Sequence, residues 1–327
     1  MPGYAPRVNL VESSTGTDVV APTVGDVIEA RGLTKKYDGR AVVSDLSFRV
    51  RPGIVTGFLG ANGAGKSTTL RMLVGLVRPD AGLATIGGVA YRDLPRPASQ
   101  VGILLDPNAV QRFRTGIDHL TWMCRVSGTN PAVIPAKLEA VGLEGAGRQR
   151  IGEYSLGMCQ RLALAGTMLA DPPVVIFDEP INGLDAEGIR WMRRVLRSMA
   201  DEGRTVLVSS HLMDEMEKTA DRVIIINQGR LVEDVTIPEL TARTAGDCVV
   251  VRSDDDTTLA GELRAVGGRV ETVRGALDVR DVTTERIGQV ALACRIALVE
   301  LRPVRTTLEE AFLSITDEAT PAKVMQP

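Results

Sequence analysis

A glycine-rich run near residue 60 has the residue types and spacing that bind phosphate. It reads Gly60-Ala-Asn-Gly-Ala-Gly-Lys-Ser-Thr68 and matches the pattern G-x-x-x-x-G-K-S/T between a predicted strand and a predicted helix. Glycines let successive backbone N–H groups curl around phosphate oxygens, and the helix N-terminus adds positive potential. A glycine-rich turn with a chance Lys-Ser pair is the alternative, and the strand–loop–helix context argues against it. The predicted nucleotide contacts are Gly60, Asn62, Gly63, Ala64, Gly65, Lys66, Ser67 and Thr68.

Two carboxylates follow a second apolar run, Val174-Val-Ile-Phe-Asp178-Glu179. Four apolar residues before two acids place both carboxylates at the carboxyl edge of a buried strand, where ligands bind in open α/β sheets. Asp178 is expected to hold Mg²⁺ through water, and Ser67 to coordinate it directly. Glu179 is expected to act as the general base that activates water, while Lys66 reaches the β- and γ-phosphates. An acidic turn after a strand is common, but the upstream lysine favours a nucleotide hydrolase.

The composition restricts the class of protein. The chain has 327 residues, of which 44% are hydrophobic and 24% charged, so it is globular and long enough for two domains. A formal charge of −3 gives no basic surface for nucleic acid. Four scattered cysteines and two histidines exclude a disulfide scaffold and a multi-histidine metal site. Because no apolar stretch approaches the ~18 residues of a membrane span and no signal-peptide profile is present, a cytoplasmic chain is predicted.

Alternating strand and helix patterns surround the two motifs. Residues 1–25 are rich in Ser, Thr, Pro and Gly and are predicted to be a flexible leader, followed by a main domain over residues 26–244. A mostly parallel, covered sheet is expected there, with a helical subdomain inserted at about residues 107–170. The predicted strands are Val42–Val50, Ile54–Leu59, Val101–Leu105, Val174–Phe177, Val206–Ser209 and Val223–Ile226, and the first predicted helix is Ser67–Gly75.

A second pattern occupies residues 245–316, before a loose tail at 317–327. Its order of elements is β-α-β-β-α-β, which is that of a ferredoxin-like unit. The elements are Cys248–Val251, Leu259–Ala265, Arg269–Val273, Ala276–Val279, Thr284–Cys294 and Ala297–Leu301, and a last helix follows at Leu308–Ser314.

Together these motifs resemble the ATP-binding subunit of an ABC transporter. The segment Tyr154-Ser-Leu-Gly-Met-Cys-Gln-Arg161 is similar to the family signature L-S-G-G-Q-x-Q-R. It matches at Ser155, Gly157, Gln160 and Arg161 and departs from the signature at Tyr154, Leu156 and Met158. The resemblance implies that Ser155, Gly157 and Met158 approach the γ-phosphate held by an opposite subunit. An ordinary capped helix is the alternative.

Three further residues match positions with known roles in that family. Asp185, in Asn182-Gly-Leu-Asp185, is expected to cross a dimer interface, although it could simply cap the helix that follows. His211, after the strand Thr205–Ser210, resembles the switch histidine that contacts the γ-phosphate and orients the water. Tyr37 matches the aromatic residue that stacks on adenine, and a surface tyrosine is the alternative.

One position departs from the family pattern. The family usually has a glutamine after the strand Val101–Leu105, and Asp106 stands there in this chain. A carboxylate can also contact Mg²⁺, so Asp106 is a candidate metal ligand. Gln100 or Gln111 is the alternative, which the spacing makes less favourable.

The resemblance implies a Mg²⁺-dependent ATPase whose cassettes pair as a homodimer, or as a heterodimer with a similar subunit. It also implies a separate transmembrane permease that holds the chain on the inner face of the membrane. Leu308-Glu-Glu-Ala-Phe-Leu313 and the variant signature are similar to exporters of the daunorubicin- and bacitracin-resistance type, which implies efflux of a drug, antibiotic or lipid-like compound.

Other nucleotide hydrolases fit less well. The chain has no N-K-x-D guanine motif, and it has one phosphate loop where a translation-factor ABC protein has two cassettes. The interval between phosphate loop and signature is too short for the coiled coil of a DNA-repair ATPase. A soluble regulatory ABC ATPase without a permease remains the alternative, and no nucleic-acid partner is expected.

Overall fold

The chain divides into two compact units, one ending at Asp234 and the other beginning at Val235. The computed structural model describes residues 27–106, 109–244, 248–273, 275–303 and 307–318. The predicted leader, residues 1–25, lies outside the described residues, as does most of the predicted tail. None of the helices in these ranges has both the length and the apolar character needed to cross a membrane.

The elements up to residue 236 include both strands and helices, with three consecutive strands at the start and three consecutive helices in the middle. In chain order they are β1 (Ile28–Tyr37), β2 (Arg40–Val50), β3 (Val55–Leu59), α1 (Lys66–Leu73), β4 (Ala81–Ile86), α2 (Pro97–Gln100), β5 (Val101–Leu104), α3 (Gly116–Ser127), α4 (Ile134–Ala140), α5 (Leu156–Thr167), β6 (Val174–Asp178), α6 (Ala186–Asp201), β7 (Thr205–Ser210), α7 (Met213–Glu217), β8 (Arg222–Asn227) and β9 (Arg230–Thr236).

A six-stranded sheet in the order β5-β6-β7-β3-β8-β9 forms the centre of this unit. The pairs β5–β6, β6–β7, β7–β3 and β3–β8 are parallel, so the carboxyl ends of these strands meet at one edge. Every residue of β3, β6 and β7 is buried, as expected for strands covered on both faces. The predicted mostly parallel, covered sheet is therefore confirmed.

A second, antiparallel sheet has the order β2-β1-β4. The predicted strand Val42–Val50 exists as β2 but belongs to this separate sheet. Strands β1 and β4, and β9 of the six-stranded sheet, were not predicted. In β1, irregular pairing disrupts the alternation that a strand normally shows. The pairing of β1 shifts register after Ala30 and after Leu33, and Gly32 has a left-handed backbone with φ of +59°.

The segment predicted as a helical insertion contains α3, α4 and α5. Thr115 begins α3 by accepting a hydrogen bond from the Asp118 backbone N–H at 3.1 Å, and Gly128 ends it with φ of +72°. His119, predicted to be structural or on the surface, is buried on this helix. Burial and the nearby Arg114 charge lower the pKa of His119.

The second unit has its own core and a ferredoxin-like topology. Its sheet has the antiparallel order β11-β12-β10-β13, which confirms the arrangement predicted from the order β-α-β-β-α-β. The unit begins earlier than the predicted boundary at residue 244, because α8 packs against α11. The elements are α8 (Ile237–Thr244), β10 (Val249–Ser253), α9 (Asp256–Ala265), β11 (Arg269–Val273), β12 (Ala276–Arg280), α10 (Thr284–Cys294), β13 (Leu298–Pro303) and α11 (Leu308–Glu318).

The buried His119 predicts a pH effect on stability. The folded protein binds fewer protons at this position than the unfolded chain, whose histidine has a pKa of about 6.5. Stability is therefore lost as the pH falls through that value. Urea unfolding at pH 7.5 and 5.5 should show a smaller acid-induced loss in His119→Gln than in the wild type. An identical loss in both proteins would contradict this effect of burial.

Candidate active site

The phosphate loop connects the buried strand β3 to α1, and its glycines are needed for close packing. A Cβ atom on Gly60 would lie 2.6 Å from the carbonyl oxygen of Ile226. A Cβ on Gly65 would lie 2.8 Å from that of Val42, and Gly65 also has φ of +102°. Lys66 is buried, and its Nζ donates to the Gly60 carbonyl at 2.7 Å. The loop is therefore held in a curled shape at the N-terminus of a helix, as phosphate binding requires.

A cleft of about 350 Å³ opens beside this loop. Its size is suited to a small ligand. The cleft brings Glu179 and His211 together with the predicted phosphate loop, of which Gly60 and Ala64 are not lining residues. It adds three residues that were not predicted as site residues: Val42, Ala61 and Asn182. The lining residues are Val42, Ala61, Asn62, Gly63, Gly65, Lys66, Ser67, Thr68, Glu179, Asn182 and His211.

Glu179 contacts both the predicted phosphate-binding lysine and the predicted switch histidine. Its Oε1 lies 3.5 Å from Lys66 Nζ, and its Oε2 lies 2.9 Å from His211 Nδ1. These three side chains come from the phosphate loop, the end of β6 and the end of β7. The parallel order of the strands brings them to the same edge of the sheet, where ligands bind in this type of fold.

The backbone of Glu179 is held in a left-handed conformation with φ of +51°. For a residue with a Cβ this conformation costs about 1–2 kcal/mol, and it persists where the surrounding structure enforces it. Here the Glu179 N–H donates to Ser209 Oγ at 3.0 Å. The bond fixes the direction in which the Glu179 side chain leaves the strand, towards Lys66 and His211.

Ser209 also forms a hydrogen bond with Asp178, and the sequence did not predict Ser209 as a site residue. Its hydroxyl donates to Asp178 Oδ1 while accepting from the Glu179 N–H, so one buried side chain on β7 holds both acidic residues. Asp178 is paired with Ser209 in the register of β6 and β7. The available signal was a hydroxyl at the end of an apolar strand, which becomes informative only when the neighbouring strand is known.

Not all predicted site residues line the cleft. The buried carboxylate of Asp178 lies outside the lining residues, and Asp106 follows β5 at the same sheet edge. Tyr37 is exposed at the end of β1, in the hairpin whose second strand supplies Val42. The roles of Asp106 as a metal ligand and of Tyr37 as the residue that stacks on adenine therefore stay predictions.

The signature residues and Asp185 also lie outside the cleft of their own chain, and both segments cap helices. Ser155 Oγ accepts from the Met158 N–H at 3.3 Å at the start of α5, where Gly157 forms the first turn. Asp185 Oδ1 accepts from the Gly188 N–H at 2.7 Å at the start of α6. Helix capping therefore accounts for the local hydrogen bonds of both side chains.

The oxygen donors present suit a magnesium nucleotide. The Ser67 hydroxyl lies in the cleft and the Asp178 carboxylate lies at the same sheet edge, while no group of three or more His, Cys, Asp or Glu side chains suited to a metal occurs among the described residues. Mg²⁺ commonly takes one or two protein oxygens and completes its coordination with phosphates and water. The donor set therefore fits a metal that arrives with its nucleotide.

The parallel sheet, the curled loop and the acid pair define a phosphate-loop nucleotide-binding protein. Residues 43–182 match the family model described as ABC transporter. YhcH of Bacillus subtilis, an uncharacterized ABC transporter ATP-binding protein, is 34% identical over 89% of this chain and 96% of its own length. The bacitracin transport ATP-binding protein BcrA of Bacillus licheniformis is 37% identical over 66% of this chain and 72% of its own. The chain therefore belongs to the ABC transporter family.

A solved structure supports the same assignment. The ATP-binding subunit of an ABC transporter superposes with a TM-score of 0.61 and 27% identity, covering 66% of this chain and 92% of that chain. The predicted family and fold class are thus confirmed, and the chain is an ATP-binding subunit whose ATPase activity is coupled to transport. Residues 247–309 match a separate model, described as a domain of unknown function (DUF8746).

The double role of Ser209 predicts a specific loss of activity. Ser209→Ala should lower kcat roughly 10- to 100-fold, because both acids lose the hydroxyl that orients them. ATP hydrolysis and ATP affinity would be measured together, and affinity should change much less than kcat. The control is Thr56→Val on the adjacent strand β3, whose buried hydroxyl has no hydrogen-bond partner among the described residues. Equal kcat values for Ser209→Ala and the wild type would contradict this role.

Proposed function

We propose that this ATPase powers a separate transmembrane permease that exports a drug, an antibiotic or a lipid-like compound. ATP hydrolysis is supported by the contact of Glu179 with both Lys66 and His211 beside the phosphate loop. The export part is supported by the variant signature Tyr154–Met158 and by the C-terminal sequence Leu308–Leu313, both similar to antibiotic exporters. The relative named for bacitracin transport agrees with that substrate class.

In the proposed mechanism, Glu179 is the general base and His211 orients the attacking water near the γ-phosphate. In the structure, the Lys66 ammonium contacts the Gly60 carbonyl and Glu179. The β- and γ-phosphates replace these partners when ATP enters, which leaves the Glu179 carboxylate available to accept a proton from water. Tyr37, on the hairpin beside the cleft, stacks on the adenine ring.

Magnesium is proposed as the cofactor, and it neutralises charge on the phosphates when bound. The Ser67 hydroxyl and the Asp178 carboxylate would hold it, and Ser209 orients that carboxylate. Asp106 is the third candidate ligand, because β5 places it beside β6 at the same sheet edge.

The working unit is proposed to contain two cassettes. Ser155, Gly157 and Met158 lie outside the cleft of their own chain, which supports their use by the nucleotide of a second chain. The first turn of α5 would then present its backbone N–H groups to that nucleotide's γ-phosphate, and Asp185 would cross the interface. The second cassette is an identical copy or a similar subunit.

The permease is proposed to dock on the helical insertion. Three large apolar side chains there face solvent: Phe113 is 73% exposed, Trp122 50% and Val126 65%. Trp122 and Val126 lie one turn apart on α3, and the Arg114 guanidinium is 5.5 Å from the Trp122 ring centre. Exposed apolar side chains next to a cation suit an amphipathic helix with acidic residues. Such docking would place the chain on the inner face of the membrane.

The role of Glu179 predicts a trapped state. Glu179→Gln should bind ATP normally and lower turnover by roughly 100-fold or more, because an amide cannot accept the proton from water. ATP should then hold two cassettes together, which size-exclusion chromatography with light scattering would detect. Glu144→Gln, an exposed acid on the helical insertion, is the matched control. Near-normal turnover in Glu179→Gln would remove this residue from the role of base.

The docking surface predicts a separation of transport from hydrolysis. Trp122→Gln combined with Val126→Ser should abolish co-purification of the permease while leaving the ATPase activity of the isolated subunit within about twofold of wild type. Leu76→Ser and Leu83→Ser, at exposed apolar positions outside the insertion, serve as controls. A double variant that still co-purifies with the permease would contradict this docking surface.

A further inference from the structure

Gln160 is a buried polar side chain that the proposed chemistry does not use. It lies on α5, one turn after the start of the signature helix, and is 1% exposed. Its Nε2 donates to the Pro180 carbonyl at 3.0 Å and to the Asn182 carbonyl at 2.8 Å. Its Oε1 has no hydrogen-bond partner among the described residues. Reversing the amide would place Oε1 against two carbonyl oxygens, so the two contacts fix its orientation.

The two carbonyls that Gln160 binds belong to the turn directly after Glu179. Pro180 is the next residue in the chain, and Asn182 lines the cleft. Within this turn the Asn182 N–H donates back to the Glu179 carbonyl at 3.2 Å. Gln160 therefore holds a short segment whose first residue is the proposed base and whose fourth residue forms part of the cleft wall.

Leu156 makes a second contact from the same face of α5, four residues before Gln160. A Cβ atom on Gly183 would lie 2.2 Å from Leu156 Cδ2, so the leucine fills the space above that glycine. Leu156 stands where the family signature has glycine. Its side chain gives the signature helix of this chain a packing contact with the turn, in addition to the hydrogen bonds of Gln160.

We propose that Gln160 is a positioning residue for ATP hydrolysis, because it ties the signature helix to the turn that carries Glu179 and Asn182. When α5 shifts on contact with the nucleotide of a second cassette, the two hydrogen bonds carry that shift to the cleft of the same chain. Contact between α5 and the ATP of the second cassette is thereby coupled to the position of Glu179 beside the ATP of its own chain. This inference rests on the proposed role of Glu179 as general base.

The test is Gln160→Met, which keeps the length and volume of the side chain and removes both donors. Its kcat for ATP should fall about tenfold or more, because the turn after Glu179 loses its anchor. The dissociation constant of Mg²⁺-ATP, measured with the fluorescent analogue mant-ATP, should stay within about twofold of wild type. A role limited to stability would lower the thermal unfolding midpoint without this separation of kcat from binding.

The matched control is Thr167→Val on the same helix. Thr167 is buried, and its Oγ1 donates to the Ala163 carbonyl at 2.9 Å, so this variant also loses a buried hydrogen bond but not at the turn. Its kcat should stay within about twofold of wild type. The inference is overturned if Gln160→Met keeps a normal kcat, or if its kcat falls no further than that of Thr167→Val.

Gln160→Glu provides a second test if the methionine variant does not fold. An ionised carboxylate faces two carbonyl oxygens without a donor, whereas its protonated form can donate to one of them. The ratio of its kcat to that of wild type should therefore rise as the pH is lowered from 8 to 6, and a constant ratio would overturn the inference. Normal turnover in Glu179→Gln would instead refute the proposed function, whereas an inactive Glu179→Gln beside a normal Gln160→Met removes the positioning role alone.

Discussion

The site depends on one constraint, which is that an acidic side chain must leave the end of a buried strand in the direction of the phosphate loop. Glu179 meets this constraint with a left-handed backbone, and Ser209 holds its N–H. Contacts to Lys66 and His211 then follow from the order of the strands, because β6, β7 and β3 are consecutive neighbours in one parallel sheet. Displacing Glu179 would break its contacts with both Lys66 and His211.

Close backbone packing supports this arrangement from the opposite side. The turn between β8 and β9 contains Gly229, where a Cβ would lie 2.1 Å from the Val42 carbonyl oxygen. The Gly229 N–H donates to the Ala64 carbonyl at 2.9 Å, and the Ser44 N–H donates to the Gly229 carbonyl at 2.8 Å. The phosphate loop is thus fixed between the antiparallel sheet and the end of the parallel sheet. This preorganisation lets the loop present its N–H groups without rearrangement.

The sequence predicted the parts of the molecule that have a regular pattern or a defined spacing. The phosphate loop, the strand ending at Asp178 and the ferredoxin-like order of the second unit were all apparent, because each follows a local period or motif. Strand β1 was not predicted, because its register shifts disrupt the alternation of apolar and polar residues. Ser209 and Gln160 could not be assigned roles from sequence, because their partners lie on the neighbouring strand and on a turn some 20 residues away. Contacts between distant segments depend on the fold and leave no local pattern.

In the proposed mechanism, Lys66 leaves Glu179 for the phosphates, so that Glu179 can serve as the base beside the bound nucleotide. A crystal structure of the protein with Mg²⁺ and a non-hydrolysable ATP analogue tests it most directly. We expect Lys66 Nζ at hydrogen-bond distance from β- and γ-phosphate oxygens, and a water between Glu179 and the γ-phosphorus. A nucleotide bound away from the loop, or a γ-phosphate with Lys66 still paired to Glu179, would contradict it.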